Sequence, residues 1–244
     1  MSDGMSAPLL LKNFRILGVS ITFAEVDDPQ NKNRVFIDKS SILQFEYREG
    51  LLNQFISVTL QIGDTTNQLS DVLVGMEKVE LIVQDNLTNV KYEFTEESMN
   101  GPLYVYQIHD KQVIDTGKVV VLELCRKDAL ESAQQRVCKK YNAIPASDLV
   151  QDILGNFLKT KKQYLDNVSS SLNKLTFVPP MSRPYDILVW CRNKYISKDQ
   201  KTTAAGGKYV SAGYLFWESY KGYYFKSIDS IASQPASQFT YTTG

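Results

Sequence analysis

The chain has 244 residues, of which 43% are hydrophobic and 22% charged, so it can bury one large core or two modest ones. Its 27 basic residues equal its 27 acidic residues, and this balance argues against a broad surface for nucleic acid or anionic lipid. No apolar run reaches the roughly 20 residues of a membrane-spanning helix, and no signal peptide is visible, so we expect no membrane insertion.

Alternating apolar and polar residues dominate the first half of the chain and predict β-strands. The alternation recurs in seven short segments, which turn-forming residues separate without any intervening helical pattern. These segments are 19–23, 42–47, 55–62, 78–85, 92–94, 103–110 and 118–125. The series predicts an antiparallel sheet closed into a barrel or sandwich, and we assign residues 1–126 to this barrel domain.

The pattern then changes to helical spacing. Apolar residues recur every three or four positions over 127–141 and predict an amphipathic helix. A second helix is predicted to begin at Ser147, whose hydroxyl can cap it, with an apolar stripe over 149–158. The polar segment 159–173 predicts a loop, and 174–178 a short strand.

A third helix and an aromatic hairpin complete this mixed domain, which we assign to residues 127–229. Ser182 and Pro184 predict a helix start, and the expected buried face comprises Ile187, Leu188, Trp190, Cys191 and Tyr195. A polar loop over 198–211 precedes two strand patterns, 212–219 and 223–229. The overall prediction is therefore an α+β chain, with 230–244 as the start of a further tube-like segment or an interface tail.

The sequence offers few groups for catalysis or metal binding. His109 is the single histidine and lies within a strand pattern, and no two cysteines have CxxC spacing, so a nucleophilic triad or zinc site is not expected. The carboxylate pairs Asp27–Asp28 and Glu96–Glu97 are expected to be solvated charge. We therefore predict no catalytic, cofactor-binding or metal-binding residue, no cofactor, and no enzymatic activity.

The three cysteines, Cys125, Cys138 and Cys191, are widely spaced and have mostly apolar neighbours, so we expect buried, reduced thiols made in a cytoplasm. Gly206-Gly207-Lys208 lacks the remaining residues of a phosphate-binding loop and is expected to be a flexible loop.

Two other features leave alternatives open. The cluster of Lys159, Lys161 and Lys162 is either a solvated helix end or a contact for phosphate or an acidic partner. The hairpin aromatics provide either core packing with a subunit contact or a stacking platform for a ligand. These aromatics are Tyr214, Phe216, Tyr220, Tyr223 and Phe225.

Three stretches, taken in order, resemble the baseplate hub proteins of contractile-tailed bacteriophages, which are related to the hub domain of the type VI secretion spike. They are S-x-L-V-x-x-I-L over 147–154, F-V-P-P-x-x-x-P-Y-D-x-L over 177–188, and the hairpin GYLFWESYKGYYF over 213–225. The resemblance extends over residues 40–230, and its specificity lies in the order and spacing of these stretches.

The resemblance implies a structural role in the baseplate of the virion tail. Hub proteins form a trimeric ring that sits on the central spike, starts the tail tube, contacts other baseplate proteins and surrounds the channel through which DNA passes without specific binding. Their chains carry two tube-like barrels, whereas one complete barrel is evident in this sequence. Two alternatives are a receptor- or glycan-binding tail module that uses the aromatic hairpin, and a tail-associated cell-wall hydrolase with clustered carboxylates or a metal.

Overall fold

The computed structural model describes residues 14–23, 33–65, 69, 71–114, 117–198 and 213–234, with side chains of 110–114 excepted. The chain divides into two compact units. Unit 1 comprises Met1–Gly50 and Phe55–Glu131, and unit 2 comprises Leu51–Gln54 and Ser132–Gly244. None of the helices in the described ranges is long and apolar enough to cross a membrane.

Unit 1 is built on an eight-stranded antiparallel sheet. Its strands are β1 (Phe14–Thr22), β2 (Arg34–Phe36), β3 (Ile42–Arg48), β4 (Ser57–Asp64), β5 (Lys78–Asp85), β6 (Lys91–Phe94), β7 (Leu103–Ile114) and β8 (Gly117–Arg126). The strands follow the order β2-β1-β5-β7-β8-β4-β3, and β6 also pairs with β5. All seven predicted strands are present, and β2 is an additional strand.

One face of this sheet forms the core of unit 1, because every second residue of a strand points to the same side. Leu60 of β4 lies opposite Leu122 of β8, and Leu81 of β5 lies opposite Val19 of β1. These side chains are almost fully buried. Burial of a large aliphatic side chain contributes about 1.5–3 kcal/mol, so these rows account for much of the stability of unit 1.

The sheet is curled but does not close into a barrel within the described residues. The ring of Phe45 on β3 lies 5.8 Å from that of Phe14 on β1, and the ring of Tyr47 lies 5.6 Å from that of Tyr92 on β6. Strand β3 at one end of the sheet therefore packs across the interior against β1 and β6 near the other end. The end strands β2 and β3 each pair with one neighbour and not with each other, so the α+β class is confirmed without a closed barrel.

Unit 2 combines two small hairpin-like sheets with short helices. Its elements are β9 (Tyr141–Ile144), α2 (Ala146–Val150), a π-helix (Gln151–Phe157), β10 (Leu175–Phe177), α3 (Pro184–Cys191), β11 (Tyr214–Ser219), β12 (Gly222–Ser227) and α4 (Ile228–Ala232). The helix α1 (Lys127–Gln134) precedes them. Strand β9 pairs with β10, and β11 pairs with β12.

The predicted helix over 127–141 is too long. Helix α1 ends at Gln134, where the guanidinium of Arg136 donates to the carbonyl of Ala133 at 2.8 Å and takes up one of its terminal acceptors. The chain then becomes extended, and Val137 bridges to Ser182. Val137 and Tyr141 are buried, but both lie in extended segments. Their four-residue spacing therefore resembles the apolar stripe of a helix although no helix is present there.

Smaller predictions also needed correction. Ser147 does not cap α2, because it lies inside the helix and donates to its neighbour Asp148. Cys125 and Cys191 are buried as expected, but Cys138 is exposed. The predicted loop over 198–211 falls almost entirely outside the described residues, as does the tail beyond residue 234.

Candidate interaction surfaces

The residues that the sequence suggested for catalysis do not converge. His109 is an exposed residue of β7 opposite Val121 of β8. Glu96 is exposed and its carboxylate lies 2.5 Å from the ammonium of Lys78. Within the described ranges, no group of three or more His, Cys, Asp or Glu side chains is placed to hold a metal ion. The Asp27–Asp28 pair and the Gly206–Lys208 segment lie outside those ranges.

The aromatic hairpin is part of the core of unit 2 and does not present a ligand platform. Tyr214 stacks on Phe225 at 5.0 Å between ring centroids, and Phe216 lies parallel to Tyr223 at 6.2 Å. All four rings are buried. The hydroxyl of Tyr223 is hydrogen-bonded to that of Tyr185 on α3 at 2.8 Å, which fixes the hairpin against this helix.

A buried ion pair connects this hairpin to the preceding loop. The ammonium of Lys162 lies 3.0 Å from a carboxylate oxygen of Glu218 on β11, and both side chains are almost completely buried. The ammonium also lies 5.7 Å from the ring centroid of Tyr223. Lys162 is therefore a structural residue, whereas Lys159 and Lys161 of the same cluster are exposed.

A second polar cluster surrounds Asp152 in the π-helix. Its carboxylate accepts hydrogen bonds from Lys139 at 2.8 and 2.9 Å, from Tyr141 at 2.8 Å and from Asn156 at 2.9 Å. Burial alone would raise the pKa of Asp152, but these donors together lower it below its ordinary value. The carboxylate is thus ionised and joins β9 to the π-helix.

Polar side chains also connect the strands on the outer face of unit 1. The hydroxyl of Thr59 on β4 donates to Glu123 on β8 at 2.8 Å, and the guanidinium of Arg48 on β3 lies 3.8 Å from the same carboxylate. Burial, together with the nearby Glu123 carboxylate, raises the pKa of Tyr106 to about 12. These contacts join β3, β4 and β8 through paired and hydrogen-bonded side chains.

Unit 2 has an apolar cleft of about 230 Å³ beside α3, which we call the tryptophan cleft. Its lining residues are Phe177, Val178, Pro179, Pro180, Ser182, Asp186, Ile187 and Trp190. Trp190 is 50% exposed, although its helical position predicted burial, and the ammonium of Lys194 lies 4.4 Å from its ring centroid. The tryptophan cleft therefore has one half-exposed aromatic ring, that of Trp190, and one carboxylate, that of Asp186, among mainly apolar lining residues. Aromatic side chains are enriched at protein interfaces.

Unit 1 has a second cleft of about 230 Å³ where its sheet remains open, and we call it the seam cleft. It lies between the segment that follows β2 and the end of β4. Its apolar lining residues are Phe23, Val35, Phe36, Ile37, Ile62 and Leu69, and its acidic ones are Asp38 and Asp64. The seam cleft therefore combines an apolar floor with negative charge at one sheet end.

Strand β2 places two apolar side chains at the seam cleft. Val35 lies opposite Ile21 of β1, on the core face of the sheet, and is 42% exposed because the sheet ends there. Phe36 points to the other face and is 74% exposed, with the guanidinium of Arg34 at 5.0 Å from its ring centroid. Sequence reasoning missed this surface because a three-residue strand shows no alternation.

Comparison with known proteins gives several structural neighbours of low similarity. No family model and no curated protein matches the chain. The 43 kDa tail protein of prophage MuSo2 from Shewanella oneidensis has 8% identity and a TM-score of 0.45, with 85% of this chain and 53% of that protein covered. Prophage tail protein gp18 from Listeria monocytogenes EGD-e has 10% identity and a TM-score of 0.43, with 85% and 50% covered.

Both structural neighbours are prophage tail proteins, and the chain spans about half the length of each. Because both TM-scores lie below 0.5, we infer neither the fold nor the function of this chain from them.

Proposed function

We propose that this chain is a structural, non-enzymatic protein of a contractile phage tail, namely the baseplate hub. Three copies form a ring in the virion baseplate that links the central spike to the tail tube and contacts other baseplate proteins. DNA passes through the channel of the ring without specific binding. The three sequence stretches that resemble hub proteins support this proposal.

The observation that carries the proposal is the open sheet of unit 1. A sheet edge presents backbone N–H and C=O groups that pair readily with another strand, and proteins usually protect such edges. In the described part of unit 1, β2 and β3 each leave one edge unpaired, and Val35 and Phe36 expose apolar surface beside β2. A neighbouring copy that covers these edges would complete the tube-like barrel, and closed symmetry of three copies would make the ring.

The charge balance of the chain fits this role. A channel that passes DNA functions best without a strongly basic lining, because neutralised phosphates would hold the duplex in place. The chain has 27 basic and 27 acidic residues. The proposal therefore needs no DNA-binding surface.

The proposal is tested by the mass of the full chain in solution. Mass photometry, with and without the spike protein encoded by the same phage, should give particles of three chains, and negative-stain images should show rings. Monomers alone under both conditions would overturn the proposal.

The tryptophan cleft favours a second candidate function, a receptor- or glycan-binding tail module. Aromatic rings at the surface bind sugars and peptides, and Trp190 supplies such a ring where the hairpin does not. A glycan array should then show binding that Trp190→Ala abolishes and that Tyr106→Ala, a change at another partly exposed aromatic, leaves unchanged. Equal binding by wild type and Trp190→Ala would exclude this cleft as the binding site.

A further inference from the structure

Three side chains form a row along the exposed face of α3, namely Asp186, Trp190 and Lys194, and we call them the α3 row. They are four residues apart, which is the spacing that places side chains above one another on a helix. Helix α3 ends at Cys191, but the amide of Tyr195 still donates to the carbonyl of Cys191 at 3.3 Å, so the helical path continues through Lys194. The ammonium of Lys194 lies 4.4 Å from the ring centroid of Trp190, which places both on one face. The row therefore runs from a negative charge through an aromatic ring to a positive charge.

The α3 row is accessible, and its two charges are not neutralised within the described residues. Asp186 and Lys194 are exposed, and neither forms an ion pair in the part of the chain that the structure describes. The row and the tryptophan cleft both lie in the continuous described range 117–198. Val178 and Met181, in the segment that borders the cleft, are 54% and 63% exposed. This face thus presents apolar surface together with two opposite charges.

The order of the charges makes the α3 row complementary to a second copy of itself. A two-fold contact uses the same patch on both copies, so that residue i meets residue j and j meets i. Asp186 and Lys194 each lie four residues, or about 6 Å along the helix, from Trp190. When two α3 helices cross antiparallel about a two-fold axis at Trp190, Asp186 of each copy therefore faces Lys194 of the other. The two indole rings meet at the centre, where aromatic rings prefer offset or edge-to-face contact.

These observations favour a second copy over other occupants of the same face. A neutral glycan could stack on Trp190 but would leave both charges without a counter-charge. A different protein would have to present the inverse order of charges, which a second copy supplies by symmetry. The chain also has equal numbers of basic and acidic residues, 27 of each, so its net charge does not oppose association between copies.

We propose that two copies associate through the α3 row, with Asp186 of each copy paired with Lys194 of the other and Trp190 at the two-fold axis. This contact is separate from the proposed ring, whose symmetry is three-fold. It doubles whichever unit is present, so that one chain becomes two and a ring of three becomes six. A contact made by so few side chains is small and weak. It therefore forms at micromolar and higher concentrations, above the nanomolar range of mass photometry.

The experiment is a charge swap, followed by sedimentation velocity of the full chain over a concentration series. Asp186→Lys makes both ends of the row positive, and Lys194→Asp makes both ends negative. Each variant places two like-charge pairs in its own two-fold contact, so its self-association should weaken about ten-fold or more. An equimolar mixture of the two variants should recover the association, because each positive end then meets a negative end.

Two further variants serve as controls. Asp148→Lys makes the same change of charge at an exposed residue in the first turn of α2 and should associate as the wild type does. The double variant Asp186→Lys with Lys194→Asp reverses the order of the row but keeps it complementary to itself, so it should also associate as the wild type does. It tests the pairing even if one single variant fails to fold.

A wild-type chain that never doubles its mass overturns the inference, and so does a mixture or double variant that associates no better than the single variants. Glycan binding through Trp190 without doubling also overturns it and assigns the cleft to the second candidate function. The failure of this inference is distinguishable from that of the hub proposal. Rings of three that never double overturn only the two-fold contact, whereas monomers in mass photometry that double at high concentration overturn only the ring.

Discussion

Unit 2 pairs its buried charges inside its own fold, whereas the end strands β2 and β3 of unit 1 each have one edge without a partner strand among the described residues. In unit 2, Lys162 and Glu218 are buried together, and Asp152 accepts hydrogen bonds from three side chains. In unit 1, the apolar residues Val35 and Phe36 remain exposed at a sheet end. Under the hub proposal, the polar pairs of unit 2 stabilise its fold, and the open edge of unit 1 is available for assembly.

The largest expected loss of stability comes from breaking the buried ion pair. Glu218→Ala leaves the Lys162 ammonium in the interior and should lower the free energy of unfolding by about 3–5 kcal/mol. Urea denaturation of the full chain measures this change. The double variant Lys162→Met with Glu218→Leu removes both charges and should recover most of the loss. Equal losses in the single and double variants would show that the pair itself is not the cause.

A smaller, pH-dependent loss is expected at Asp152. Asp152→Asn replaces the charged acceptor of Lys139 and Tyr141 and should cost about 1–3 kcal/mol at pH 7. The pKa of Asp152 is lowered in the folded protein, so the carboxylate stabilises the fold above its unfolded pKa of about 4, and this contribution is lost as the pH falls through the folded pKa.

Thermal unfolding across this pH range tests the assignment. The difference in melting temperature between wild type and Asp152→Asn should shrink as the pH falls below about 4. A difference that stays constant with pH would mean that the charge of Asp152 does not stabilise the fold.

The smallest effect on stability is expected at the seam cleft, with a large effect on assembly. Val35→Lys places a charge on a side chain that is 42% exposed and should change the free energy of unfolding by about 0.5 kcal/mol or less. It should nevertheless reduce ring formation in mass photometry, because an inward charge at a sheet edge opposes pairing. Val90→Lys, at a 46% exposed valine beside β6, is the matched control and should assemble normally.

The sequence predicted the regular strands of the sheet, but neither the short edge strand β2 nor the buried charge of Lys162. Strand β5 occupies 78–85 as predicted, because a half-buried strand produces a clear alternation. The three-residue β2 gives no such pattern. The burial of Lys162 was also invisible, because it depends on Glu218, which is 56 residues away in the chain. Local patterns report which side of an element is buried, but not which distant group neutralises a charge.

The same limit applies to the interaction surfaces. The sequence left two roles open for the hairpin aromatics, core packing with a subunit contact or a ligand platform, and Tyr214, Phe216, Tyr223 and Phe225 lie in the core of unit 2. Trp190 was expected in the buried face of α3 but is half exposed. The sequence shows which residues are aromatic, and an aromatic side chain can pack in a core or bind a partner molecule. Which of them are exposed depends on the packing of the whole unit.

The most direct test of the hub proposal is the position of the chain in the assembled virion. A short tag inserted into the turn at Asn86–Asn89, between β5 and β6, can be labelled with gold in purified tails and viewed by electron microscopy. The hub proposal predicts label at the baseplate end of each tail. Label along the whole tube, or tails without label, would contradict it.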